Sequence, residues 1–158
     1  MSHPAAPRGV QQRKADTLEK LQASGADVWV ASASGSEGGV PLAHLVPLSL
    51  AWIDERVVVA LPSDSQTARN IVQHRRTRLG LGPTRDVVMI DAVLDRAVEV
   101  SDVRSDFADR YLEQAGWDPR EESGGYSYLV LRPERIQAWR EANELVGRTL
   151  MRGGSWLV

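Results

Sequence analysis

The sequence contains no cysteine, a single phenylalanine and only two lysines among its 158 residues. Without cysteine there is no disulfide framework, no thiolate metal site and no thiol nucleophile, which fits a reducing, cytoplasmic location. No apolar run approaches the roughly 20 residues of a membrane span, and the first ten residues lack the apolar core of a secretion signal. We therefore expect a cytoplasmic protein that is not inserted in a membrane.

Charge is nearly balanced, with 19 basic and 21 acidic residues, and this argues against a nucleic-acid partner. Residues 74–78 form a local basic cluster in which Arg76 and Arg78, two positions apart, would share one face of a strand. They could serve a single anion, or the cluster could be a solvated strand end. Three widely spaced histidines predict no metal site, and nucleophile-elbow, zinc-protease and P-loop motifs are absent.

The apolar spacing predicts one mainly β domain over residues 13–158, of α+β class, behind a flexible tail at 1–12. Amphipathic spacing indicates a helix over 13–23, and alternation on both sides of the glycine-rich residues 35–39 indicates a hairpin. Consecutive β-branched residues at 57–59 predict a strand covered on both faces. Further elements are expected as a helix at 64–73, strands at 77–81 and 87–100, a helix from 101 or 102 to 116, and a strand at 126–131 that breaks at 132–134 and resumes at 136–139. A mostly antiparallel barrel fits this order.

The strongest candidate site lies where the strand at 57–61 ends and a helix starts within a few residues. The first turn of such a helix presents unpaired N–H groups at the positive end of its dipole, a setting that binds phosphate. The hydroxyls of Ser65 and Thr67 and the guanidinium of Arg69 could complete a phosphate cage. Each residue type also has a structural explanation, because Ser63 or Asp64 could be the helix cap and Arg69 could pair with a carboxylate.

The order of motifs resembles the pyridoxamine 5′-phosphate oxidase-like superfamily over about residues 17–100. The motifs are a helix, a hairpin with G-x-P, an apolar strand ending in Trp52, a second strand, the segment from Ser65 to Asn70, and Arg-Thr-Arg-Leu at 76–79. Residues 131–139 and 147–156 are similar to actinobacterial members of the group. The resemblance implies a six-stranded antiparallel split β-barrel, and a homodimer with a cofactor in each groove between the subunits.

The same resemblance implies a set of cofactor-binding residues on two strands, the phosphate loop and the following basic segment. They are Val46, Pro47, Leu48, Leu61, Pro62, Ser65, Gln66, Thr67, Ala68, Arg69, Asn70, Arg76 and Arg78. It also suggests that Trp139 and Arg148 reach a groove, with Leu48, Leu50 or Trp52 as apolar walls for a substrate.

The implied function is that of an FMN-binding oxidoreductase that moves hydride or electrons between flavin and an unidentified small substrate. Oxidation of pyridoxamine phosphate is disfavoured, because residues 45–48 are neutral and Gln66-Thr67 replaces a stretch that usually contains lysine. The alternatives are a reductase dependent on coenzyme F-420, a flavin-binding protein without turnover, and a split barrel without cofactor. No catalytic side chain is assigned, since the cofactor would carry the chemistry.

Overall fold

Antiparallel pairing joins nine strands into one sheet in the computed structural model, which describes residues 3–35 and 38–158. The strands are β1 (Asp27–Ser34), β2 (Leu42–Ser49), β3 (Ala51–Ile53), β4 (Arg56–Pro62), β5 (Arg76–Leu81), β6 (Val87–Glu99), β7 (Tyr126–Trp139), β8 (Thr149–Arg152) and β9 (Ser155–Trp156). The helices are α1 (Val10–Gln22), α2 (Gln66–His74) and α3 (Ser105–Ala115), with short 3₁₀ turns at Val100–Asp102, Pro119–Glu121 and Ala142–Glu144.

The order of the strands corrects the expected barrel. It runs β2-β1-β5-β6-β7-β4-β3, with β8 added beside β7 and β9 beside β8. The mainly β, α+β class is confirmed, but the sheet has nine strands and is not closed, so the six-stranded barrel is wrong. The two longest strands, β6 and β7, join the two halves, and register shifts after Asp91 and Leu94 mark bulges that bend this pair.

Strand β4 is buried on both faces, as its β-branched run predicted. Val57, Val59 and Leu61 face one apolar cluster, whereas Val58 and Ala60 face a second cluster beneath α3. The second cluster is rich in aromatic side chains, among which Tyr111 and Tyr128 pack edge to face at 5.2 Å between ring centroids. This two-sided burial fixes β4, and with it the point from which α2 starts.

Several element bounds differ from the expected ones. Helix α1 begins at Val10 rather than at residue 13, and the segment expected as one helix from residue 101 or 102 divides into a 3₁₀ turn and α3. Strand β7 continues through Pro133 because a bulge leaves Glu134 outside the register with β6. The β1–β2 hairpin is confirmed, although Ser36 and Glu37 of its predicted turn lie outside the described residues.

The start of the chain is tied to the rest by an ion-pair network around Arg8, whose side chain is 8% exposed. Its guanidinium lies 2.7 Å from carboxylate oxygens of both Asp16 and Glu144. The division into a tail at 1–12 and a domain at 13–158 remains a prediction. Over the residues that are described, no helix has the length and apolar character to cross a membrane.

Candidate functional site

Helix α2 begins four residues after β4 ends, and Ser65 caps it. The Ser65 hydroxyl oxygen accepts a hydrogen bond from the Ala68 N–H at 3.2 Å. The alternative caps are wrong, because Ser63 instead donates to Glu99 at 3.1 Å and lies 2.7 Å from the Ser127 hydroxyl. The cap leaves other first-turn N–H groups of α2 without helical partners, which is the condition for an anion site.

Asn70 anchors the second turn of α2 to the sheet. Its side chain is buried, donates to the Ser32 hydroxyl oxygen at 3.1 Å and accepts from the Gln66 side chain at 2.7 Å. Ser32 lies on β1, so this bond sets the position of α2 relative to that strand. The helix therefore cannot slide along β1 without breaking a buried polar contact.

Arg69 folds back over the start of α2. Its guanidinium donates to the Asp64 carbonyl oxygen at 2.7 Å and to the Gln66 side-chain oxygen at 3.1 Å. Among the described residues, 3–35 and 38–158, no carboxylate lies within ion-pair distance of the Arg69 guanidinium. The alternative that Arg69 pairs with a carboxylate therefore has no support there. The guanidinium has further N–H groups at the start of the helix, and a charged donor in this position is suited to binding an anion.

A groove of about 560 Å³ lies across β1, β5, β6 and β7, and none of the residues that line it belongs to α2. Ser32, which holds Asn70, also lines the groove and so connects it to α2. Its lining residues are Ala31, Ser32, Ala33, Arg76, Thr77, Arg78, Asp91, Ala92, Glu134, Arg135 and Gly153. The volume is in the range of small-molecule and cofactor sites.

Arg76 and Arg78 lie on one exposed face of β5, as their spacing predicted, and both line the groove. Arg78 pairs with Asp91 at 2.6 Å, and Arg76 lies 3.3 Å from Glu134. Arg135 shares Asp91 at 2.6 Å. The groove therefore has three guanidinium groups against two carboxylates, an excess of one positive charge.

Asp91 keeps its charge in spite of partial burial. Desolvation raises the pKa of this carboxyl, but hydrogen bonds from Arg78 and Arg135 and their positive charges outweigh it, and the pKa lies below its ordinary value. The carboxylate bridges the two arginines at neutral pH and so orients both guanidinium groups.

The apolar site residues divide between core and surface. Leu61 and Ala68 are buried, so only their backbones are available to a ligand, whereas Val46 and Leu48 pack partly against the core and stay partly exposed. Pro47 is exposed beside Trp29, its partner on β1. Leu50 is fully buried, so it cannot form a wall of a substrate slot.

Sequence reasoning missed part of the groove, namely Ser32, Asp91, Glu134, Arg135 and Gly153. Their strands alternate in burial, but nothing local indicates which strands are neighbours. Trp139 and Arg148 lie together, with the guanidinium carbon 5.3 Å from the ring centre. Neither lines the groove of its own chain.

A scan against protein-family models finds no match, and a search of curated proteins finds none either. Several solved structures have a fold similar to that of this chain. One named F420 reductase has a TM-score of 0.55 at 15% identity over 75% of this chain and 94% of that chain. A putative pyridoxamine 5′-phosphate oxidase from Listeria innocua has a TM-score of 0.58 at 12% identity, over 84% of this chain and 100% of that chain. A heme binding protein from Mycobacterium smegmatis has a TM-score of 0.58 at 18% identity, over 98% of this chain and 60% of that chain.

These identities lie below 20%, so the similarity concerns the fold. Structures with this backbone carry names that refer to different ligands, and the ligand must therefore be argued from the site itself. The chain has the fold of the pyridoxamine 5′-phosphate oxidase-like superfamily, which its sequence resembles.

Proposed function

We propose that the protein binds FMN and acts as an oxidoreductase on a small molecule. The observation that carries the proposal is the hydrogen bond from Asn70 to Ser32, which joins the second turn of α2 to a residue that lines the groove. A phosphate at the helix start and a ring system in the groove would then belong to one ligand.

The residues present suit the phosphate of such a ligand. Backbone N–H groups at the first turn of α2 and the Arg69 guanidinium are donors, and phosphate oxygens are acceptors, whereas Thr67 is buried at 3% exposure and leaves that role to them. No carboxylate competes for Arg69 within the described parts of the chain. The ribityl phosphate would lie against Ser65–Arg69.

The backbones of Val46–Leu48 and Leu61–Pro62 would flank the ring, with Arg76 and Arg78 adding positive charge. Bound flavin supplies two-electron redox chemistry. The chain's own contribution is to bind and orient the ligand, to exclude water, and to place the partner molecule over the ring.

Coenzyme F-420 is the second candidate, and the three arginines of the groove favour it. Arg76, Arg78 and Arg135 present guanidinium groups at the groove, and the polyglutamate tail of this coenzyme is anionic. Two carboxylates in the same groove reduce that attraction, so we place FMN first. Flavin binding without turnover is the third possibility, and it requires the same site.

We also propose that the protein is a homodimer with a cofactor in each of two grooves between subunits. Trp29 and Leu45 expose 52% and 61% of their surfaces on the same face of the sheet as the groove. Large apolar side chains exposed together on a soluble protein commonly mark an interface. A second copy would cover them and close the open side of the groove.

The test is co-elution of purified protein with FMN or with F-420 on a sizing column, read by visible absorbance and by quenching of cofactor fluorescence. Retention of FMN supports the first proposal, and retention of F-420 alone selects the second. Retention of neither contradicts both. When a cofactor is retained, its reduction by a nicotinamide donor separates an enzyme from a protein that only binds it.

A further inference from the structure

A cavity of about 330 Å³ lies between the end of β6 and the start of β7, at the small end of the range of small-molecule sites. It is also bordered by the 3₁₀ turns before and after α3, and we call it the turn cavity. It shares no described residue with the groove. Its walls include Glu99, Val100, Pro119, Arg120, Glu122 and Tyr126.

The charges of the turn cavity are not balanced. Within the described part of the chain, neither Glu99 nor Glu122 forms an ion pair. Arg120 lies in the wall, but its guanidinium already binds carboxylate oxygens of Asp118 at 2.8 Å and of Asp109 at 2.9 Å. The cavity therefore presents negative charge that no neighbouring cation offsets, and this suits a positively charged ligand.

Two serine hydroxyls hold the carboxylate of Glu99 in place. The Ser63 hydroxyl donates to Oε2 at 3.1 Å, and the hydroxyl of the buried Ser127 lies 3.3 Å from Oε1. The two hydroxyl oxygens are 2.7 Å apart, so the single proton of Ser127 serves either Glu99 or Ser63. One of the three contacts is therefore without a proton. The cluster has more acceptor sites than donors, and a ligand that donates hydrogen bonds would complete it.

Gly125 leaves the approach to this carboxylate open. Its carbonyl oxygen accepts a hydrogen bond from the Ser63 N–H at 2.9 Å, which fixes the glycine beside Glu99. A Cβ built on Gly125 would lie 3.8 Å from Oε2 of Glu99 and 3.7 Å from the Ser63 hydroxyl oxygen. These are ordinary contact distances, so the missing side chain leaves room for a ligand group next to the carboxylate.

Other parts of the wall are apolar or aromatic. Val100 and Pro119 are buried side chains, and the Tyr126 ring packs edge to face on Trp117 at 6.1 Å between ring centroids. An aromatic ring attracts an ammonium group, and aliphatic side chains pack against an alkyl chain. A metal ion prefers a set of several oxygen ligands, and no three acidic or histidine side chains of the described residues are grouped to supply one. The walls therefore favour an organic cation.

We infer that the turn cavity binds a small organic cation, a protonated primary amine whose alkyl part lies against Val100, Pro119 and Tyr126. Its ammonium group donates to the Glu99 carboxylate, and Glu122 adds a second negative charge. The site lies outside the groove, so the inference does not depend on the proposed cofactor.

An NMR titration of the isotope-labelled full chain with butylammonium chloride tests the site, read from the backbone amides of Gly124 and Gly125. We expect both amide signals to shift and to saturate. Butanol has the same alkyl chain without the charge, and sodium butyrate has the opposite charge, so neither should shift these signals at equal concentration. Equal shifts with butanol, or no saturation with butylammonium, would overturn the inference.

Glu99→Gln keeps the shape of the side chain and removes its charge. This variant should bind butylammonium roughly tenfold or more weakly, because a hydrogen bond to a charged group is lost. The control is Glu121→Gln, which removes the same charge from an exposed residue that is outside the cavity wall and adjacent to Glu122. Equal dissociation constants for the two variants would overturn the assignment.

Gly125→Ala tests the cavity without changing any charge. The added methyl group would make only ordinary contacts with the protein, so the fold should be retained, as the amide spectrum will show. It should weaken butylammonium binding several-fold, and unchanged binding would place the amine outside the cavity and overturn the site. Magnesium chloride alone should not shift the same amides. Saturable shifts with magnesium and none with butylammonium would replace the organic cation by a metal ion.

Discussion

Asn70 of α2 donates a hydrogen bond to the hydroxyl oxygen of Ser32 on β1 over 3.1 Å. This contact joins the second turn of α2 to a residue that lines the groove, so under the proposed function we expect it to affect both stability and ligand binding. Asn70→Ala removes the donor and leaves Ser32 and Gln66 without their partner. We expect the free energy of unfolding in urea to fall by about 1–3 kcal/mol.

The matched control for that loss is Gln73→Ala, which truncates an exposed residue of the same helix. It should change the free energy of unfolding by less than about 0.5 kcal/mol. Equal effects of the two substitutions would mean that the contact with Ser32 does not fix α2.

Arg69 is expected to act in binding and not in folding. Arg69→Ala should weaken FMN binding by about 1.5–3 kcal/mol, the usual contribution of a hydrogen bond to a charged group. Arg85→Ala removes the same charge from an exposed position that pairs with Glu141, so it is the control and should leave affinity unchanged. An isothermal titration in which the two variants bind equally would remove Arg69 from the site.

Glu144 should make the fold sensitive to acid. Hydrogen bonds from Arg8 lower the pKa of this carboxyl to about 2 from an ordinary 4.5, although burial opposes the shift. Because the folded value is depressed, its contribution to stability is complete above about pH 4.5 and is lost as the pH falls toward 2. We expect that contribution to be about 2–3 kcal/mol.

Thermal unfolding of Glu144→Gln between pH 2 and pH 6 measures the contribution of Glu144 to stability. The variant should be less stable at pH 6 and should lose less stability on acidification than the unmodified protein. Glu141→Gln, at a carboxylate three residues earlier whose side chain is 43% exposed, should show no such change. Parallel pH profiles for the Glu144 variant and the unmodified protein would contradict the assignment.

Tyr128 buries a hydroxyl that has no hydrogen-bond partner among the described residues. Burial raises the pKa of this phenol, so the group stays neutral at ordinary pH. Tyr128→Phe removes a polar group that is not compensated, and we expect the free energy of unfolding to stay equal or to rise by up to about 1 kcal/mol. A loss of more than about 1 kcal/mol in urea unfolding would show that the hydroxyl is bonded in solution.

The sequence was informative where burial follows from local pattern. Residues 57–59 predicted a strand covered on both faces because consecutive β-branched residues suit that environment, and β4 has both clusters around it. Arg76 and Arg78 share a face because strand side chains alternate. The start of α2 was located within two residues, although neither Ser63 nor Asp64, the two caps that the sequence offered, is the cap.

The remaining features depend on which strands pair. Pro133 suggested a break, yet β7 continues because a bulge opposite β6 accommodates a residue without an N–H. Asp91 and Arg135 enter the groove only because β6 and β7 are neighbours, and the sequence does not specify that register. Arg8 looked like part of a free tail, while its partner Glu144 is 136 residues away.

The most direct test of the central claim is a comparison of FMN with riboflavin, which differs by the phosphate alone. If α2 holds that phosphate, FMN should bind roughly 10–150-fold more tightly in a fluorescence titration, and Arg69→Ala should remove most of the difference. Equal affinity for the two compounds in the unmodified protein would contradict a phosphate site at the start of α2.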